Sequence, residues 1–409
     1  MYWKQRSRAD WLSAGDRNSK FFHSRATARK KKNNISKLLD HNGIMQESEE
    51  GIVGIIKLFF SDLYRSSNPA AGDIGNAAAA IDSTLDDGMI NDLSRAFTED
   101  EVKRAIFEMN PSKAPGPDGF QAMFFQKYWK LVGADFSKVC LQVLNGRSSI
   151  ADFNHTFVAL IPKIKNPLSP NDFRPISLCS VTYKAITKVL ANRLKGILQN
   201  IISPSQSAFV PGRQIFDNVI TSFELLHSIS RKKKGKTGWL ALKLDMSKAY
   251  DRIEWDFLKA IMEKMGFPPH WINLIMDCLS TSRLTFLLNG TPTCSVVPSR
   301  GLRQGCPLSP YLFILCAEAL SGLIRKEESA VRGLGIQCCR NSPLISHLFF
   351  ADDSILFCKA SPENGVRIRT CWVYMKKVLG RRLTFINQIS PSVRMYLGNL
   401  GRTSNQNLG

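Results

Sequence analysis

Two stretches of this chain run apolar residues directly into aspartate. "HLFFADDSILF", residues 347–357, sets Asp352 and Asp353 between Leu348, Phe349 and Phe350 on one side and Ile355, Leu356 and Phe357 on the other. "WLALKLDMS", residues 239–247, ends its apolar alternation at Asp245. The first reads as strand, turn and strand, the second as a single strand. Carboxylates almost never go inside unless they are paired or hold a cation. A fold that accepts this pattern must therefore bring the strand ends to one edge of a sheet, where the charges can be compensated. Successive side chains of a strand point to opposite faces, which favours Asp245 and Asp352 as the main pair and Asp353 as the weaker third. Clustered carboxylates repel unless cations sit among them. Oxygen-only ligands suit Mg²⁺, and two such ions about 3.5–4 Å apart stabilise the attacking and leaving oxygens of a phosphoryl transfer. Taken alone, "ADD" reads as a hairpin turn with solvated or capping aspartates.

The charge balance points the same way. Lys plus Arg total 55 against 34 Asp plus Glu, a net charge of +21. That surplus predicts a polyanionic partner, nucleic acid before a membrane surface. None of the 10 cysteines forms a C-x-x-C pair, so reduced thiols in an intracellular protein, nuclear or cytoplasmic, are expected rather than a disulfide or zinc framework. The start, "MYWKQRSRADWL", is polar and basic and is not a secretory signal. The most apolar long stretch, 311–324, is too short to span a bilayer and contains Glu318, so no membrane association is expected.

Along the chain, residues 1–65 read as a basic helical N-terminal extension with Arg29, Lys30, Lys31 and Lys32 in one block, suited to phosphate contact. Residues 66–90, rich in Ala, Gly, Asp and Ser, read as a linker. Thr98 with Glu101 three residues on is a capping box that starts a helix. "KAPGPDGF", 113–120, must be an ordered loop, "FVALIPK", 157–163, a strand, and 181–201 a long amphipathic helix. A second basic block, Arg231 to Lys234, falls in a loop. "RLTFLLNG", 283–290, reads as a strand ending in an Asn-Gly turn, and 309–325 as a helix. Strands and helices without strict alternation predict an α+β fold.

Two further segments complete the constellation. "DFRPISL", 172–178, sets Arg174 near Lys163 of "LIPK", and an arginine fork with a lysine is what a triphosphate needs. "GLRQGCPLSPYLF", 301–313, sets Gln304 and Gly305 in a turn, where glycine lets backbone approach a ligand. With Asp245 in "LDMSKAYD" and Asp352–Asp353 in "FADD", these segments resemble, in order and spacing, a reverse transcriptase. "KAPGPDGF", "SQSAFVPGRQIFDNV" (205–219) and "DWLSAGDRNSKFFH" (10–23) narrow the resemblance to the LINE-type non-LTR retrotransposons of plant genomes, over nearly the whole chain to about residue 362.

The resemblance implies a right-hand polymerase fold, with fingers over 91–236 and a palm with a ferredoxin-like sheet over 237–380. It implies extension of a DNA primer on an RNA template, with dNTP as substrate and two Mg²⁺ held by Asp245, Asp352 and Asp353. Lys163 and Arg174 would hold the incoming nucleotide. Tyr250 would be the steric gate against a ribose 2′-hydroxyl, and Gln304, beside Gly305, would contact the template–nucleotide pair. Arg213 and the two basic blocks would lie along nucleic acid. The family's next motif is only partly kept. In "LGRRLTFINQISPS" Gly380 fits, Thr384 replaces an asparagine, and Asn387 stands near the place of a lysine that would protonate the leaving pyrophosphate. Residues 381–409 are expected to be a divergent tail, with the thumb missing or degraded. Two readings stay open on these residues: a working RNA-directed DNA polymerase, and a retrotransposon remnant that binds nucleic acid without synthesis.

Overall fold

The computed structural model describes residues 20–232, 238–246, 248–330, 334–339, 341–379 and 383–386. In chain order its helices and strands are α1 (Lys20–Asn33), β1 (Leu38–Leu39), β2 (Met45–Gln46), α2 (Glu49–Leu63), α3 (Ala71–Ala78), α4 (Asp87–Ser94), α5 (Glu99–Phe107), α6 (Ala122–Lys127), α7 (Trp129–Leu144), β3 (His155–Pro162), β4 (Phe173–Cys179), α8 (Val181–Ile201) and α9 (Ile215–Arg231), followed by β5 (Trp239–Met246), α10 (Trp255–Lys264), α11 (Pro269–Ser280), β6 (Arg283–Leu288), β7 (Thr291–Val296), α12 (Ser309–Ala330), β8 (His347–Phe350), β9 (Asp353–Lys359), α13 (Pro362–Leu379) and β10 (Leu383–Ile386).

Two four-stranded sheets organise these elements, in the orders β10-β5-β9-β8 and β4-β3-β6-β7. The first carries the aspartates. β5 runs antiparallel to β9 with Leu242 opposite Leu356 and Leu244 opposite Ser354, and antiparallel to β10 on its other side. Alternation sorts its residues: Leu242, Leu244 and Met246 join the main core, whereas Ala241 packs with Ile355 and Phe357 in a smaller cluster capped by Leu225 of α9. The main core is built around α8 and α12, both buried along most of their length. α8 spans Val181–Ile201, the range its apolar stripe predicts.

In the second sheet β3 is antiparallel to β4 but parallel to β6. The β6–β7 connection is the expected Asn-Gly turn, with φ of 56° at Asn289 and 99° at Gly290, as a two-residue hairpin of this hand requires. The pairing joins segments far apart in the chain. Residues 283–296 lie in the stretch expected as palm, yet they complete the sheet begun by residues 155–179. Long-range strand pairing decides this, and no local pattern reports it.

The N-terminal third also differs from expectation. Residues 66–90 are folded rather than a linker: α3 packs against α10, α12 and α13, and Ala77, Ala78, Ala80, Ile81 and Leu85 are buried. Alanine is small enough to let helices approach, so a stretch without aromatic anchors can still be core. α2 lies on the second sheet, with Phe60 stacked on Phe286 at 4.4 Å between ring centroids. The capping box is present: the Thr98 hydroxyl accepts from Glu101 N at 3.4 Å and the Glu101 carboxylate from Thr98 N at 3.0 Å.

The loop 113–120 docks on the start of α8, where the Asp118 carboxylate accepts from Val181 N at 3.0 Å. A Cβ on Gly116 would overlap the Cys179–Ser180 peptide, so only glycine fits. Gly116→Ala is therefore expected to destabilise the chain by roughly 1–3 kcal/mol. Gly75→Ala, with open space around the new methyl, should stabilise α3 by about 0.5–1 kcal/mol. Urea midpoints for the two variants check both directions.

Candidate active site

The β8–β9 hairpin is tight. Phe350 pairs with Asp353, which leaves Ala351 and Asp352 as the turn, with Ala351 at φ 53°. The hairpin is held from outside by the segment after α8. Phe349 N donates to Ser205 O at 2.8 Å and Ser207 N to Phe349 O at 3.0 Å. The Gln206 amide oxygen accepts from Ala351 N at 3.0 Å, and Asn218 Nδ2 donates to Phe349 O at 2.8 Å. Below it, the buried His347 ring meets the hydroxyls of Ser205, Ser321 and Ser346 at 2.7–2.9 Å. Burial, with the Arg325 charge second, pushes its pKa down to about 3, so the ring is neutral and works as a hydrogen-bonding spacer.

Arg213 belongs to this support. Its guanidinium donates to the carbonyls of Ser203 and Gln206 at 2.5 and 2.7 Å and of Ile202 at 2.7 Å. It was expected along nucleic acid; the structure uses it to close the turn after α8, because the carbonyls there have no helical donors.

A cleft of about 600 Å³ opens beside the hairpin. Lys163, Arg174, Tyr250, Gln304, Gly305 and Asp352 all line it. Lys163 follows β3, Arg174 lies on β4, and their strands pair with Ile161 opposite Arg174. Lys163 Nζ donates to Asn171 O at 2.9 Å, and Arg174 is exposed. Tyr250 stacks on Phe313 at 4.9 Å with an interplanar angle of 10°. Burial, with the Asp352 carboxylate second, holds its phenol protonated well above the usual range. Gly305 has φ 114°, and a Cβ there would sit 2.8 Å from Ser177 O, so glycine is required both by the backbone and by the close approach of β4.

Asp352 and Asp353 separate. Asp352 faces the cleft, whereas Asp353 is largely exposed and pairs with Lys243 at 3.1 Å. Asp245 lies on β5 opposite Thr384 of β10. On its other side the register ends at Leu244 opposite Ser354, so the next residues, Asp245 and Asp353, have adjacent backbones. Asp245's side chain lies outside the described residues, and among those described no three His, Cys, Asp or Glu side chains cluster as a metal site. Among the described residues the carboxylates at this edge are Asp352 and Asp353, with the Lys243 ammonium beside the latter.

Three residues of the cleft escape sequence reasoning. Arg303 is structural: its guanidinium donates to Asn154 Oδ1 at 2.6 Å, Thr156 Oγ1 at 2.9 Å and Cys278 O at 2.8 Å. Asp251 is 2% exposed and accepts from Tyr64 and Gln304. Lys248, at φ 53°, holds its ammonium 4.3 Å from the Phe59 ring centroid. Burial pushes the Lys248 pKa down to about 8 and the Asp251 pKa up to about 6, each moderated by the other's charge. The local pattern of "SKAYD" does not show this burial, to which Phe59 and Tyr64 at the end of α2 and the Gln304 loop contribute.

Of the basic blocks, Lys30, Lys31 and Lys32 are exposed in the last turn of α1, and Arg29 is half-buried. Arg231 is exposed, and Lys232 lies 3.9 Å over Trp239. Lys233, Lys234, Gly380 and Asn387 lie outside the described residues.

Comparison with known proteins places this geometry. The family model described as reverse transcriptase (RNA-dependent DNA polymerase) matches residues 161–388. The transposon TX1 uncharacterized 149 kDa protein of Xenopus laevis is 32% identical over 321 residues, 78% of this chain and 24% of that protein. The retrovirus-related Pol polyprotein from type-2 retrotransposable element R2DM of Drosophila melanogaster is 28% identical over 67% of this chain and 24% of its own length. An uncharacterized mitochondrial protein of Arabidopsis thaliana is 61% identical over 71 residues, 17% of this chain and 58% of that protein. The chain thus spans about a quarter of the two transposon proteins.

The buried Asp251 carboxyl sets a pH dependence. Folding raises its pKa from 3.8 to about 6, so the folded chain retains a proton that the unfolded chain has lost. Its favourable contribution is complete below 3.8 and disappears as pH rises through 6. Above that window the buried charge costs roughly 3 kcal/mol. Asp251→Asn should therefore gain stability relative to the parent between pH 4 and 7, by a few kcal/mol at most, in paired urea melts across that range.

Proposed function

Because the chain belongs to the reverse transcriptase (RNA-dependent DNA polymerase) family, we propose that it extends a DNA primer on an RNA template from this cleft, in the manner of a LINE-type retrotransposon polymerase. The observation that carries the reading is the single cleft shared by Asp352 of the β8–β9 turn and by Lys163 and Arg174 of the β3–β4 pair. Anionic and cationic groups from different sheets converge there, as a triphosphate with its counter-ions demands.

In this reading Arg174 and Lys163 bind the phosphates of the incoming dNTP. Asp245 and Asp352 would hold Mg²⁺, with Asp353 as the weaker third. Divalent ions supply charge neutralisation at the attacking and leaving oxygens. Tyr250, its ring fixed by Phe313, limits the space for a ribose 2′-hydroxyl. Gly305 lets the chain approach the nucleotide closely, and Gln304 contacts the nascent pair. Lys30, Lys31, Lys32 and Arg231 offer positive charge to the phosphates of the duplex. Among the described residues no helix is long and apolar enough to cross a membrane.

Primer extension on a poly(rA) template with Mg²⁺ tests the proposal. The chain should add nucleotides, and Asp352→Asn should lose roughly 10²–10³-fold in rate, the scale of removing one group that stabilises charge in the transition state. If both forms bind the duplex with steep salt dependence and neither incorporates, the polymerase reading fails and a nucleic-acid-binding remnant takes its place.

A further inference from the structure

The loop that presents Gln304 is fastened to the segment after β5. Leu302 N donates to Tyr250 O at 2.7 Å and Gly301 N to Ile253 O at 2.8 Å, while Gln304 O accepts from Ser177 N at 2.7 Å. These bonds fix the backbone of Gln304; among the described residues its side chain's hydrogen-bond partner is Asp251. Gln304 Nε2 donates to Asp251 Oδ1 and Oδ2 at 3.3 and 3.4 Å. Asp251, buried, also accepts from the Tyr64 phenol at 3.4 Å. Tyr64 closes α2, and its neighbourhood is clamped in turn: buried Glu254 accepts from Ser66 and Ser67 and pairs with Arg300 at 3.1 Å.

The two ends of a glutamine amide are nearly equal in shape and opposite in hydrogen-bonding sense. An ionised carboxylate only accepts, so it takes the N–H end and turns the Oε1 end of Gln304 away from Asp251. We propose that Asp251 is a positioning residue for nucleotide selection: it fixes the amide of Gln304 so that an acceptor faces the nascent base pair, and Tyr64 at the end of α2 holds the carboxylate in place. The inference rests on the nucleotide reading of the cleft. It assigns the N-terminal segment a part in selection and explains why the fold keeps a buried acid that opposes its stability.

Neutralising Asp251 removes the bias, since an amide or a carboxylic acid can both donate and accept. The charged or titratable groups facing Asp251 are Lys248, Lys163 and the Tyr64 phenol; the two lysines favour its ionised form, and burial opposes it.

The test uses the whole chain, an RNA template and a dideoxy-terminated DNA primer with Mg²⁺, so that no turnover is needed. Ternary complex surviving a heparin challenge is measured with the matched dNTP and with each mismatched one. At pH 8, Asp251→Asn should lose about tenfold of the matched-to-mismatched ratio, the value of one directional hydrogen bond, while melting no lower than the parent. Tyr64→Phe should fall between them. As pH drops through about 6, the parent ratio should fall toward that of the variant, whose own profile stays flat; a purely structural role would give no such convergence. Equal ratios for parent and both variants overturn the positioning role alone. A parent that binds the duplex but gains nothing from any dNTP overturns the nucleotide reading of the cleft, and this inference with it. Should Asp251→Asn fail to fold, Tyr64→Phe and the parent's pH profile decide the matter.

Discussion

A carboxylate at the tip of an apolar hairpin is stable only where water or a cation reaches it, and the pairing of β5 with β9 decides where that is. Leu242, Leu244, Leu356 and Cys358 lock one face of the pair into the main core. With that face committed, a slip of one residue would drive polar groups into the core, so the register is fixed. The fixed register carries the end of β5 to the β8–β9 turn. The Ser205–Asn218 segment then braces the turn through backbone bonds to Phe349 and Ala351, and the neutral His347 fills the space below without adding charge.

The second sheet supplies the opposite wall. The β3–β4 pair carries Lys163 and Arg174, while α2 covers its far end and reaches the segment after β5 through Tyr64. The cleft is thus assembled from three distant parts of the chain. Its buried charges, Lys248 and Asp251, depend on that assembly, since Phe59 and Tyr64 of the α2 end and Gln304 of the loop after β7 all pack on them. A cation facing an aromatic ring and an acid shared by a phenol and an amide are costly to bury. Their position beside the cleft, rather than deep in the core, fits groups that serve the site more than the fold.

Much of this was legible in the residues. The apolar runs ending in Asp245 and Asp352, the Thr98 capping box, the helix at 181–201 and the Asn-Gly turn after β6 all follow local rules, and each stands where its pattern puts it. Lys163, Arg174, Tyr250, Gln304 and Gly305 do line one cleft. The parallel pairing of β3 with β6, which moves residues 283–296 to the other sheet, was not legible because strand partners 120 or more residues apart leave no local trace. Nor was the burial of Ala77, Ala78 and Ala80, where small size rather than hydrophobic bulk does the packing. The structural part played by Arg213 was hidden for a related reason: sequence shows a guanidinium's charge but not the carbonyls it binds. Asp251 and Lys248 were missed because their setting is made in part by Phe59 and Tyr64, nearly 200 residues earlier.

The central claim is that the ends of β5 and of the β8–β9 turn form one divalent-metal site. Fe²⁺ can replace Mg²⁺ in such sites and, with ascorbate and peroxide, cuts the backbone nearest the metal. Mapping the cuts on the whole chain bound to a primer–template tests the claim directly. The account predicts paired cleavage around residues 245 and 352, suppressed by excess Mg²⁺ and lost at both places in Asp352→Asn. Cleavage at only one of the two, or at both but unchanged by the substitution, would contradict it.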